Sequence, residues 1–180
     1  MRNLKWIVLS ISALALLSIA IYVGNQSNTD KERSYQIPIS DKELDTLAIL
    51  RDGELYFEFK KTDKWKIMNA SQDVYSVGAD QNFLDKFIEK IIESRLTPVA
   101  IYERDDQLSE FGLKQPRYEI KLKNKDGTTY TLKVSEKKNY EGKHFYRNDS
   151  DKKIYISDID LFKDLQNDTI YFLNKRISHP

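Results

Sequence analysis

DTLAILRDGELYFEFKKTDKWKIMN, residues 45–69, alternates in the manner of strands. Leu47 and Ile49, then Leu55, Phe57 and Phe59, then Trp65 and Ile67 recur at period two, so each short run has one apolar face. Asp52-Gly53 is a strong hairpin signal between the first two runs, and Lys61-Thr62-Asp63-Lys64 is a weaker one before the third. Three antiparallel strands are expected. Ser40 and Glu43 upstream match a capping box, but the strand pattern begins so soon that any helix there is a single turn.

Downstream the period changes to that of a helix. Phe83, Leu84, Phe87, Ile88, Ile91 and Ile92 fall on one face, with Lys86, Glu89, Lys90 and Glu93 on the other. Asp80 suits the N-cap, and Thr97-Pro98 marks chain that has already left the helix for an extended path through Val99-Ala100-Ile101-Tyr102. An acidic stretch, Glu103 to Glu110, closes on Phe111-Gly112-Leu113. There Gly112 can take the left-handed conformation that ends a short helical turn, and Pro116 blocks its resumption. Strands then return: Tyr118/Ile120/Leu122 and Tyr130/Leu132/Val134 flank the turn Lys125-Asp126-Gly127, followed by His144 to Arg147 and Ile154 to Ile156. Ile159, Phe162 and Leu165 stand at helical spacing within 158–168. The fold class is α+β: a mostly antiparallel sheet with one long helix and one short terminal one.

Ahead of this lies an apolar run from Trp6 to Val23, preceded by Arg2 and Lys5. As a helix it would be ~27 Å long, about the thickness of a bilayer's hydrocarbon core. Lys and Arg favour the cytoplasmic side, so the N-terminus is expected inside and the rest outside the cytoplasm. A cleaved secretory signal is the rival reading. Ser18-Ile19-Ala20 offers small residues for cleavage, but the length of the run favours retention. The expected organisation is an anchor over 1–24, a flexible polar linker over 25–44 and an extracytoplasmic domain over 45–180. With no cysteine anywhere, disulfides, thiol chemistry and a lipid-modified cysteine are excluded. Setting aside Arg2 and Lys5, 27 cations face 28 anions, so the domain lacks the basic field that nucleic acid requires.

Together these landmarks resemble the family called domain of unknown function 4340 (DUF4340). The resemblance rests on Trp65 in KWKI, Ala79-Asp80 opening the long helix, FGLKQP at Phe111 to Pro116, the strand TTYTLKV, and HFYR followed by KKIYISD, spanning Leu47 to Leu165 in a single copy. The aromatic-Gly-Leu-x-x-Pro block between helix and paired strands is its most specific element. Asn69 departs from the proline often found after the Trp strand, and Ser135-Glu136 from the glycine common after the TLKV-type strand. Such proteins look like bacterial envelope proteins with one N-terminal membrane helix, some encoded beside ABC-type transporter components, including gliding-associated ones. The resemblance thus implies an accessory or scaffolding role and supplies no catalytic residues.

The residues themselves point to no catalytic set. His144 reads as a strand residue and His179 as part of a frayed end, neither with a second histidine at ligand spacing. Asp149, Asp151, Asp158 and Asp160 do not fit a calcium loop, because Ile154 stands where its glycine belongs. No metal or cofactor is expected. Tyr56, Tyr118, Tyr130, Tyr146 and Tyr155 are the candidate interaction surface, since tyrosine can cover a sheet while its hydroxyl reaches a partner. The expectation is therefore a membrane-anchored binding or scaffold domain, an accessory subunit of an envelope or ABC-transporter-type assembly. The alternatives are an envelope hydrolase or carbohydrate-binding protein built on Asp105, Asp106 or Glu110, and a secreted binding module released by cleavage.

Overall fold

The computed structural model describes residues 34–70, 78–166 and Phe172. In chain order these form β1 (Tyr35–Gln36), β2 (Leu44–Arg51), β3 (Glu54–Lys61), β4 (Trp65–Ala70), α1 (Gln81–Glu93), β5 (Arg95–Ile101), a 3-10 turn (Asp105–Ser109), β6 (Tyr118–Asn124), β7 (Thr129–Lys138), β8 (His144–Asn148), β9 (Lys153–Ser157) and α2 (Leu161–Gln166). The strands make one sheet in the order β1-β5-β9-β8-β7-β6-β2-β3-β4, and every neighbouring pair is antiparallel. The fold is α+β, as the alternating and helical periods together imply.

Two meanders, β2-β3-β4 and β6-β7-β8-β9, meet where β2 pairs with β6, Leu47 opposite Leu122 and Ile49 opposite Ile120. The first hairpin turns on Asp52 at φ 54° and Gly53 at φ 83°, the paired positive values of a turn whose twist matches the strands it joins. Because β4 and β5 lie toward opposite edges of the sheet, α1 must carry the chain across one face. It buries Leu84, Phe87, Ile88 and Ile91 there, in one cluster with Leu47, Phe57, Phe59, Ile120 and Val134. Burial of each such side chain stabilises by about 1.5–3 kcal/mol. The bond from Phe83 N–H to the Asp80 carboxylate at 3.0 Å adds about 1 kcal/mol, so packing rather than the cap holds the helix.

The return from β5 to β6 runs over the opposite face. Leu108, Phe111 and Leu113 pack there on Tyr102, Phe145 and Ile154, and the Phe111 and Phe145 rings meet edge to face at 5.2 Å. Gly112 makes this turn possible, with φ at 68° and Ser135 pressed against it. Pro98 sits within β5 beside a break in register with β9, where a missing N–H is tolerated.

Two boundaries differ from expectation. The polar linker expected over 25–44 gives way by Ser34, because Tyr35 and Gln36 pair with Leu96 and Arg95 while Ile37 and Ile39 are buried in the main cluster. Two isoleucines flanking Pro38 suffice to bury a segment whose average composition is polar. The terminal helix starts later than its spacing suggests: α2 begins at Leu161, after Ile159, and buries Phe162 and Leu165. Among the described residues no helix is long and apolar enough to cross a membrane. The expected anchor, Trp6 to Val23, and His179 lie outside the described residues.

Candidate binding pocket

The five tyrosines expected to line an interaction surface do not form one. Tyr56, Tyr118, Tyr146 and Tyr155 are buried, and only Tyr130 remains half-exposed. In β8 and β9 the tyrosines point toward the α1 side, where Tyr146 donates its hydroxyl to the Ile159 carbonyl at 3.1 Å and Tyr155 to the Asp151 carboxylate. Desolvation raises the pKa of both phenols, so both stay protonated and act as donors.

Tyr130 leads instead to a cavity of about 200 Å³. Its walls come from elements far apart in sequence: Tyr35 and Ile37 from the first strand and the residues after it, Leu122 from β6, Tyr130 and Leu132 from β7, and Asn148 to Ser150 where β8 turns toward β9. Antiparallel register explains the grouping, since Leu122 lies opposite Tyr130 and Leu132 opposite Asn148. Five of the ten residues that line it are aliphatic or aromatic.

Thr129, Thr131, Asn148, Asp149 and Ser150 are polar, and of these Asn148 is the most buried. It is only 6% exposed, and its Oδ1 accepts from Ser150 N–H at 2.9 Å, Ser150 Oγ at 2.7 Å and Asp151 N–H at 3.1 Å. Two of those donors are backbone N–H groups, which fixes the amide orientation and leaves Nδ2 as the other end. That Nδ2 is buried with no hydrogen bond of good geometry, and it lies beside the Tyr155 hydroxyl. At the rim, burial works against ionisation of Asp149, but hydrogen bonds from Arg147 at 2.9 Å and Lys133 at 3.0 Å outweigh it and hold the carboxyl below its usual range. The pocket thus combines a half-apolar wall, a buried amide and a rim carboxylate paired with two cations.

The remaining candidates are dispersed. Asp105, Asp106 and Glu110 are exposed on the 3-10 turn and the residue after it, Asp106 beside Arg104 at 3.3 Å. Asp149, Asp151, Asp158 and Asp160 each have their own partner: Lys133 and Arg147, the Tyr155 hydroxyl, Lys143 at 2.6 Å, and Lys163 N–H at 3.0 Å. Among the described residues no three potential metal donors converge.

His144 is a buried strand residue, stacked on Phe162 at 4.2 Å, with Nδ1 2.9 Å from the Ser135 carbonyl and Nε2 4.0 Å from Asp160. Burial pushes its pKa below 6.5, with Lys138 acting the same way and Ser135 and Asp160 opposing. The unfolded chain therefore binds more protons than the folded one between the lowered pKa and 6.5, and stability rises with pH across that window. Urea denaturation is expected to give falling stability as pH drops from about 7 to about 5, and His144→Asn to remove up to about 1.4 kcal/mol per pH unit of that slope. An unchanged slope in the variant overturns the assignment.

A family model described as a domain of unknown function (DUF4340) matches residues 65–179, from the start of β4 to beyond α2. No curated protein and no solved structure matches the chain.

Proposed function

The chain belongs to the DUF4340 family, and from that premise we propose that it is a membrane-anchored, extracytoplasmic binding subunit that holds a partner protein's side chain in the pocket at Tyr130. The observation that carries the reading is a small cavity walled by Tyr35, Ile37, Leu122, Tyr130 and Leu132 beside polar side chains. Whole small molecules occupy pockets of about 300–1,000 Å³. At about 200 Å³ this one suits a single anchoring side chain. One desolvated anchor commonly supplies a large share of the binding energy of a protein interface.

The rest of the reading comes from the sequence. The apolar run Trp6 to Val23 is the anchor, the near balance of charge suits a protein partner over nucleic acid, and resemblance to envelope proteins encoded beside ABC-type transporters names the kind of assembly. The test is copurification of the full-length protein in mild detergent, wild type against Tyr130→Ala and Tyr35→Ala. Loss of an anchoring contact worth about 1–2 kcal/mol weakens partner recovery by about 5–30-fold. Recovery of the same membrane partner by all three, with the fold intact by circular dichroism, overturns the pocket as its seat. N-terminal sequencing of the mature chain separates the anchored form from one released by signal cleavage.

A further inference from the structure

We infer that the side chain seated in the pocket at Tyr130 is Tyr140 of a second copy of this chain, so that copies join head to tail; the inference rests on the reading of that pocket as a seat for one side chain. Tyr140 stands at the tip of the hairpin between β7 and β8. Its hydroxyl lies beside Glu141, yet the residue is 96% exposed, against 70% for Ile101 and 54% for Met68, the next most open large apolar residues of those described.

The tip that presents it is braced. Asn139 Oδ1 accepts from the N–H groups of Glu141 and Lys143, both at 2.9 Å, the Asn139 N–H donates to the Lys143 carbonyl at 2.8 Å, and Gly142 turns the chain at φ 79°. Lys143 ties the tip to the body of the domain through Asp158 at 2.6 Å. A ring carried on such backbone forfeits little freedom on docking.

The pocket's mixed lining matches this side chain. Its apolar half takes a ring, and Thr129, Thr131 and Ser150 in the other half offer hydroxyls to the phenol, a partner that a buried tyrosine needs. Met68, Val99 and Ile101, the other exposed large apolar residues, bring no hydroxyl to that half. Charge does not oppose the meeting. Glu141 is paired with Lys143 at 3.1 Å, and Asp149 at the rim with Lys133 and Arg147, so each carboxylate is balanced within its own copy. The contact therefore depends on the ring and responds little to salt.

Topology makes the contact intermolecular. The pocket lies where β7 begins and β8 ends, the tip where β7 ends and β8 begins, and at ~3.3 Å per residue β7 sets them more than about 20 Å apart. No tyrosine side chain spans that distance, so Tyr140 is out of reach of its own pocket. A knob at one end of the strands and a socket at the other make a heterologous contact, which repeats from copy to copy.

Sedimentation velocity of the full-length protein in mild detergent tests this. The wild type is expected to grow beyond the dimer as concentration rises, and Tyr140→Ser and Tyr130→Ala each to weaken association by about 30-fold or more. Met68→Ser, which also removes exposed apolar surface, leaves association unchanged. An equimolar mixture of Tyr140→Ser, which keeps the socket, and Tyr130→Ala, which keeps the knob, stops at the dimer. A wild type that stays monomeric, or a Tyr140→Ser protein that associates as the wild type does, overturns the inference. The pocket's reading survives either result if Tyr130→Ala and Tyr35→Ala still lose a membrane partner on copurification, and falls with the inference if they do not.

Discussion

Gly112→Ala is expected to destabilise the domain by about 2–4 kcal/mol, the sum of two separable costs. The first is conformational: a residue with a Cβ at φ 68° sits where only glycine is at ease, at about 1–2 kcal/mol. The second is steric, because a Cβ on Gly112 would lie 2.5 Å from Ser135 Oγ and 3.1 Å from Lys137 Cγ. Ser135 is fully buried and its Oγ accepts from Lys137 N–H at 2.9 Å, so it has nowhere to go. Relief of the clash by Ser135→Gly in the Gly112→Ala background should recover about 1–3 kcal/mol and leave the conformational share. Urea denaturation of the four proteins in the cycle measures both. Strict additivity would show that the two residues do not compete for the same space.

Trp65→Ala should cost about 3–5 kcal/mol, the range for a large buried aromatic, because this one side chain joins the edge of the sheet to the helix that crosses it. Trp65 is 3% exposed, its Nε1 donates to Asp85 at 3.0 Å, and Lys61 lies over its ring at 5.3 Å. Its backbone is held as well. Gln81, the first residue of α1, accepts from Trp65 N–H at 2.7 Å and donates to the Trp65 carbonyl at 2.8 Å. A side-chain amide thus takes the position of a further strand beside β4, at the edge where an unpaired backbone would invite another chain. Trp65→Phe keeps the packing and loses only the bond to Asp85, at about 1–2 kcal/mol. If the alanine and phenylalanine variants unfold at the same denaturant concentration, the ring's packing is not what holds the edge.

What the sequence disclosed was whatever depends on near neighbours. Asp52-Gly53 carries its own turn, Asp80 its own cap, Gly112 its own left-handed step, and the period of Phe83 to Ile92 its own buried face. What stayed hidden depends on which face a distant segment covers. Alternation at Tyr146 and Tyr155 says that the two point one way, but only the arrival of α1 and the residues after β1 makes that way the interior. The pocket has no local signature, since it gathers residues from Tyr35 to Ser150, and Asn148 is ordinary until the turn after it consumes its oxygen. Phe172 lies beyond the stretch read as helical, yet it meets Phe57, Phe59, Phe83 and Phe87 at ring separations of 4.8 to 6.0 Å. No spacing rule foretells such a meeting.

The pairing of β2 with β6 has a consequence for how the chain is made. The first meander is complete by Ala70, but its companion strand ends at Asn124, roughly fifty residues later, or about 3–10 s at ~5–20 residues per second of synthesis. Throughout that delay β2 offers an open backbone edge and Leu47 and Ile49 lack the neighbours that will shield them. Nascent polypeptide in that condition is a substrate for holding chaperones, and assembly of the sheet is slow and governed by long-range contacts.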